Sequence, residues 1–384
     1  MINIVDNHNC CGCSACASIC PKQCISMAAD KEGFLYPLVD KNICIECGLC
    51  EKVCNELHPY EKRKPYKVLA AINKDEDIRM KSSSGGIFYI LAAKIICEGG
   101  VVFGARFDEN WQVVIDYATD IKAIDAFMGS KYVQARIENA YRDAKHFLTE
   151  GRKVLFSGTP CQVAGLHKFL HKQYENLLTV DFICHGVPSP KVWRMYLNEV
   201  TNDIKNLHSA EFRSKVAGWK NFCMYLNYDK GNKNFSYIAP MTKDLYMRAF
   251  LQDLILRPSC HNCKAKGCSS LSDITIADFW GVQFIIPEMD DNKGTSLLLV
   301  HSAKVDALLK GNQLLVAPID FEMAVRYNTA VYTSPKPHTN RELFFLKLDK
   351  EPLSELIQKC APLPKINFAA RCKSFIKRNF RDKK

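Results

Sequence analysis

Two cysteine runs constrain this chain more than anything else in it. The first is Cys10-x2-Cys13-x2-Cys16-x3-Cys20, followed by Pro21; the second is Cys44-x2-Cys47-x2-Cys50-x3-Cys54, followed by Asn55. Spacings this short let three thiolates hold one 4Fe–4S cubane from a single tight loop. The fourth cysteine starts the next segment and points away, to the other cluster. The pattern therefore assigns Cys10, Cys13, Cys16 and Cys54 to one cluster, and Cys44, Cys47, Cys50 and Cys20 to its neighbour. Gly12 and Gly48 fall inside the loops, where backbone must pass close to sulfide. Asn55 stands where proline often sits, a small departure. Zinc fits poorly, since its sites pair two CxxC knuckles over a longer gap. Cys11 and Cys24 lie out of frame and read as bystanders. Such a unit needs roughly 60 residues, and "HPYEKRKPYK" (58–67) reads as the linker that closes it.

The rest of the composition agrees with a reduced, intracellular chain. Nineteen cysteines in 384 residues point to cluster ligation rather than a disulfide scaffold, because the cytosol keeps thiols reduced. The first residues, MINIVDNHN, have neither a basic n-region nor an apolar h-region. The most apolar stretch, "GGIFYILAAKIICEGGVVFGA", is broken by Lys94, Glu98 and its glycines. It reads as a buried helix and a strand, not as a membrane span. A cytoplasmic location follows as the expectation. The formal charge is +11. Three clusters at about −2 each would bring it to roughly +5, too modest to argue for nucleic acid.

Beyond residue 66 strands rich in Val, Ile and Leu alternate with helices. "SSSGGIFYILAAKIICEGG" (82–100) reads as serine N-caps, an apolar helix and a Gly-Gly stop, and "VVFGARF" (101–107) as a strand. "KVLFSGTPCQVAGLHKFL" (153–170) is strand, loop, helix, with Pro160 at the first helical position. "LLTVDFICHGVPSP", "SDITIADFWG" and "TSLLLVHS" add three strands. The expected fold class is α/β (α+β): a small two-cluster ferredoxin domain over 1–62, then a mixed α/β flavin-binding domain over 66–335. A helical extension with a basic tail occupies 336–384.

Cys161 opens a helix just past a strand, where the helix dipole favours thiolate. Cys184 and His185 also follow a strand directly, and open α/β sheets build sites outside the carboxyl ends of their strands. Cys260-x2-Cys263 is a two-thiolate hook. Together these four could hold a third cluster, with Cys268 competing for one place. The bland alternative is that Cys161 and Cys184 are small buried hydrophobes. Ser82-Ser83-Ser84-Gly85-Gly86 before a helix would suit a phosphate or would simply cap it. Neither a G-x-G-x-x-G run nor a Walker A run is present.

The motifs "SSSGGIF", "GSKYVQ", "VLFSGTPCQVAGL", "VDFICHGVPSP", "FRSKVAGW", "RPSCHNCK", "SDITIADFWG" and "KGTSLLLV" run in this order. As a set, with the two cysteine runs, the chain resembles the coenzyme F420 hydrogenase/dehydrogenase beta-subunit family. The form it resembles carries an N-terminal two-cluster ferredoxin domain. The resemblance covers residues 10 to about 302 and leaves the last 80 or so unaccounted for. It implies an iron–sulfur flavoprotein oxidoreductase, with three 4Fe–4S clusters and FAD. The implied ligands of the third cluster are Cys161, Cys184, Cys260 and Cys263. The implied flavin contacts are Ser83, Ser84, Gly85, Gly86, Ser130, Lys131, Tyr132, Thr159 and Gln162. His185 and Asp278 become candidates for proton handling.

The expected function is a relay from a ferredoxin-like or other low-potential donor, through clusters, to FAD and a small-molecule acceptor. That acceptor is F420 or an unidentified substrate, and relatives encoded beside polysaccharide-synthesis genes point to the latter. A carrier that feeds a partner enzyme is the alternative; a cluster-based sensor would not need the flavin motifs. No nucleic-acid partner and no transmembrane segment are expected. The basic tail "RCKSFIKRNFRDKK" (371–384) reads as a frayed terminal helix, or as one that touches an anionic membrane or an acidic partner.

Overall fold

Val101, Phe103, Val154 and Phe156 face one way, and Val102 and Leu155 the other, so one sheet buries both of its faces. The structure is a computed structural model, described over residues 1–231 and 233–363. After β1 (Ile25–Ala29) and β2 (Leu35–Val39), which pair as an antiparallel hairpin, come the strands of this sheet. They are β3 (Lys67–Asn73), β4 (Val101–Phe107), β5 (Val113–Ala118), β6 (Val154–Ser157) and β7 (Leu177–Phe182). Next in the chain, β8 (Leu207–Ser214), β9 (Cys223–Lys230) and β10 (Lys233–Pro240) form a separate antiparallel sheet. The large sheet is completed by β11 (Ile274–Asp278), β12 (Ser296–Val300) and β13 (Leu314–Pro318).

The eight-stranded order is β13-β3-β12-β11-β7-β6-β4-β5. Strands β11, β7, β6 and β4 run parallel, as the alternating strand–helix pattern predicts. Strands β12, β13 and β5 run against their neighbours. The fold class is therefore mixed α/β. Of the antiparallel members the sequence reading found only β12, in "TSLLLVHS"; β5, β13 and the second sheet left no mark, because their short runs lack intervening helices.

The helices up to β11 are α1 (Ala15–Ile19), α2 (Leu49–Lys52), α3 (Glu76–Lys81), α4 (Ile87–Cys97), α5 (Ala140–Thr149), α6 (Pro160–Leu170), α7 (Pro190–Thr201) and α8 (Leu245–Leu251). Helix α4 covers one face of the sheet, while α5 and α6 cover the other. Two late helices, Arg341–Lys347 and Leu353–Cys360, join α7, α8 and the small sheet in an aromatic core around Trp193, Phe212 and Tyr246. Among the described residues no helix is long and apolar enough to cross a membrane. The basic tail lies outside the described residues.

One expectation needs correction. The serines of 82–84 do not cap α4. Asp75 caps α3, Ser82 ends it, and Gly86 opens α4 in the left-handed region at φ 82°. The serines form the elbow between two helices. Gly85 is required there, because a Cβ would meet the Ala71 carbonyl at 2.5 Å.

The N-terminal residues are stitched to the body rather than tethered to it. Arg257 donates to the Cys10 and Leu35 carbonyls, Ser189 to Glu32, and Arg142 to Ala17 and Ser18. The expected linker also makes contacts: Lys168 lies 4.0 Å from the centre of the Tyr60 ring.

A polar seam runs under β7 and β11. Asp181 is buried and accepts from Ser270 and Thr275, each at 2.5 Å. The Thr275 hydroxyl also stands 3.2 Å from His301 Nε2, and the Thr179 hydroxyl 3.4 Å from His167 Nε2. Burial pushes His167 down to about 4 and His301 to about 3. Both stay neutral in the fold while an unfolded histidine protonates near 6.5. Their contribution is thus complete above about pH 6.5 and is lost as pH falls, by about 1.4 kcal/mol per unit per histidine. We expect H167Q and H301N each to flatten the fall of the urea midpoint between about pH 6 and 5, against parent protein at the same iron content. A slope unchanged in both would contradict the assignment.

Candidate functional site

The two cysteine runs fold alike. Gly12 and Ser14 flank Cys13 with φ 71° and 60°, and Glu46 and Gly48 flank Cys47 with φ 52° and 72°. Each loop therefore turns through two left-handed residues around its middle cysteine and then enters a short helix. Only glycine adopts that region without cost, so the loops each place one glycine and tolerate one strained residue. Cys20, Cys44, Cys47 and Cys50 line one cavity, joined by Cys24, whose sulfur is 3.4 Å from that of Cys20. Burial first, and then Cys10 and Cys54, raise the pKa of Cys16, as near neighbours of its thiol would. The Ile2 N–H points at Cys50 Sγ over 3.2 Å, the kind of donor a ligated thiolate accepts.

A second cysteine cavity lies at the carboxyl edge of the large sheet. Cys161 reaches it from the first turn of α6, Cys184 from the end of β7, and Cys260 and Cys263 from the turn Pro258–Asn262. These four come from three segments well separated in the chain, yet they line one cavity, close enough that Cys161, behind burial, raises the pKa of each of Cys184, Cys260 and Cys263. The Val187 N–H is directed at Cys260 Sγ, 3.4 Å away. Cys11 and Cys268 share the cavity wall, and His185 stands on it as well.

The chemistry of this donor set fits a cluster. Four thiols surround one space; they do not converge on a point, and among the described residues no three His, Cys, Asp or Glu are placed to hold a single ion. Burial pushes Cys260 up to about 12 and Cys263 to about 11. Cys161 is raised well above its ordinary value, first by its hydrogen bond with Cys11 and then by burial. The helix dipole that favours thiolate at Cys161 works against this shift. Desolvation among other thiols wins, so ligation must displace protons.

Helix α6 is fixed by a capping box. Thr159 accepts from the Gln162 N–H, and the Gln162 side chain accepts from the Thr159 N–H at 3.0 Å. The Gln162 amide also donates to the Ala135 carbonyl. The Thr159 hydroxyl is 3.1 Å from Cys161 Sγ. These two residues hold the helix end that presents Cys161.

Two of the other residues singled out in the sequence, Asp278 and Tyr132, meet at Arg213. Arg213 pairs with Asp278 and donates to the Tyr132 hydroxyl over 3.4 Å. Asp278 also accepts from Trp219 Nε1 at 3.1 Å. The Ser83 and Ser130 hydroxyls meet at 2.8 Å. Ser84 donates to the Thr295 carbonyl, and the Gly85 N–H to Ser296 Oγ. Lys131 turns onto the carbonyls of Ala126, Met128 and Gly129, and burial pushes it down to about 7. Asp278 and His185 do not share a partner. His185 Nε2 bonds Asp253 at 2.5 Å. An aromatic path joins the two places: His185 meets Phe250 edge-on at 5.5 Å, and Phe250 stacks on Tyr132 at 4.6 Å.

Three residues were missed in the sequence. Arg257, Arg213 and Lys215 sit inside "RPSCHNCK" and "FRSKVAGW", which were read for their cysteines and their order alone. Lys215 is buried and donates to the carbonyls of Arg79, Ser84 and Lys293, which fixes the serine elbow. The Arg213 guanidinium is buried, and its Nε and Nη2 have no partner among the described residues. Buried N–H groups in this state are rare in folded proteins.

Comparison with known proteins adds the following. Residues 151–316 match the family described as the C terminus of the coenzyme F420 hydrogenase/dehydrogenase beta subunit. A chain from the solved F420-reducing NiFe hydrogenase complex of Methanosarcina barkeri, studied as a xenon derivative, matches with 18% identity. The match covers 78% of this chain and 94% of that one, with a TM-score of 0.45. No curated protein matches the chain.

Proposed function

We propose that this chain, whose residues 151–316 match the C terminus of the coenzyme F420 hydrogenase/dehydrogenase beta subunit, is an iron–sulfur flavoprotein oxidoreductase of that family. It takes electrons from a low-potential donor such as ferredoxin and delivers them to a small molecule. The observation that carries this reading is the convergence of Cys161, Cys184, Cys260 and Cys263 on one cavity that Cys11 of the N-terminal unit also lines. Bound clusters would supply single-electron steps, and a bound flavin would supply the two-electron exchange with substrate.

The chain's own residues then have distinct roles. The two N-terminal runs and the four cavity cysteines hold the clusters. Arg213 offers its unpartnered N–H groups to the flavin beside Tyr132, and Lys215 keeps Ser83 and Ser84 in place. His185, oriented by Asp253, is placed to hand over a proton near the cavity. Asp278 holds Arg213 in its pose. A second reading, a carrier that serves a partner enzyme, is favoured by the family's description as a beta subunit.

The deciding measurement is iron, acid-labile sulfide and acid-released flavin per chain on anaerobically purified protein. About twelve irons with one FAD support the proposal. About eight irons without flavin would leave the carrier reading in first place. We also expect R213M to lower flavin per chain while iron stays constant. Full flavin content in that variant would remove Arg213 from the site.

A further inference from the structure

Cys11 falls outside both cysteine runs, yet it lines the same cavity as Cys161, two residues before Cys13 in the chain, and its thiol is perturbed by both. Cys13 belongs to the first N-terminal set, with Cys16 close behind it. Cys161 belongs to the cavity set, with Cys184, Cys260 and Cys263 beyond it. Cys11 thus neighbours a cysteine of each set: Cys13 of the first loop and Cys161 of the cavity.

The backbone fixes this juxtaposition at two points. Arg257 holds the Cys10 carbonyl at 2.8 Å, and the same residue introduces the turn that carries Cys260. Gly165 lies one helical turn beyond Cys161, on the same face of α6. A Cβ there would sit 3.2 Å from Cys13 Sγ. Cys13 therefore rests directly on the helix whose first turn presents Cys161. The other N-terminal set is placed differently. Cys20, Cys44, Cys47 and Cys50 line a separate cavity that includes neither Cys11, Cys13 nor Cys161, and Cys47 is exposed.

We propose that Cys11 is the junction between the N-terminal unit and the cavity: its thiol couples the Cys10/Cys13/Cys16/Cys54 centre to the Cys161/Cys184/Cys260/Cys263 centre. The Cys20/Cys44/Cys47/Cys50 centre then lies on the outer side, where a donor docks. This rests on the three-cluster reading. The step moves one electron from the first of these centres to the second. One is oxidised and the other reduced, no proton moves, and Cys11 remains a thiol. A sulfur neighbouring both sides supplies a path where a smaller side chain would leave a gap.

The test uses the full chain, reconstituted anaerobically, as parent, C11A and C11S. Iron and sulfide per chain are measured first. Each protein is then mixed with limiting reduced ferredoxin, a donor too large to reach the inner cavity. Freeze-quench EPR follows the N-terminal signals and the cavity signal in time. We expect all three proteins to hold parent levels of iron. The lag between the two signals should lengthen several-fold in C11A, with C11S in between. A parent with about eight irons overturns the three-cluster reading, and the proposal with it. A parent with about twelve irons and an unchanged lag in C11A overturns the proposal alone. Loss of about four irons in C11A also overturns it, since Cys11 would then be a ligand.

Discussion

Replacing Arg257 with leucine is expected to lower the urea midpoint sharply and to strip iron from the N-terminal unit. Arg257 is fully buried. Its guanidinium donates to the Cys10 carbonyl at 2.8 Å, the Leu35 carbonyl at 2.9 Å and Gln134 Oε1 at 3.1 Å, and it lies 4.2 Å from the Tyr36 ring centre. Leucine would leave three enclosed acceptors without a donor, at about 1–3 kcal/mol each. Set against a total stability of about 5–15 kcal/mol, that is a large fraction. The loss falls on the joint that holds the first cysteine loop, so docking and cluster retention should fail together. R257K should recover only part of the effect, because one ammonium cannot reproduce the planar fork. Urea titration by circular dichroism and iron per chain check both statements. A midpoint within error of the parent would show that Arg257 does not hold the unit in place.

The second large effect is expected at Cys260. C260A should remove about four of about twelve irons and leave the N-terminal signals intact. The sulfur accepts the Val187 N–H and neighbours Cys263 and Cys161, so its loss removes one corner of the donor set. C268A is the matched control. Cys268 touches the same cavity, but it packs with Val68, Trp219 and Phe279, and its charged neighbours are Asp181 and Arg63 rather than the four cysteines. Iron content should therefore be unchanged in C268A. Equal iron loss in both variants would mean that the cavity does not distinguish them, and the ligand set would have to be redrawn.

Part of this site was legible before any fold. The x2-x2-x3 spacing is a local property, and the left-handed turns around Cys13 and Cys47 are local too, so glycine at one position in each loop already announces them. Pro160 and the Thr159–Gln162 pair likewise announce the start of α6. Other features were not legible. The serine elbow read as a cap because capping residues look the same whether a helix begins or a preceding helix ends. Cys11 read as a bystander because its neighbour Cys161 is 150 residues away in the chain. Arg213 and Arg257 read as ordinary cations because nothing local distinguishes a buried guanidinium from a solvated one.

By itself the sequence determined which thiols can grip from a common loop, where β4, β6, β7, β11, β12 and helix α6 lie, and that the segments after β6 and β7 end at one edge. These follow from spacing, periodicity and capping, all of which act within a few residues. Only the tertiary structure decided that Cys161, Cys184, Cys260 and Cys263 surround one space, that Cys11 stands between that space and the first cysteine loop, and that Arg213 is enclosed with donors to spare. The physical reason is that burial sets the charge, protonation and pairing of these groups. Burial is a property of what packs around a residue, not of what precedes or follows it.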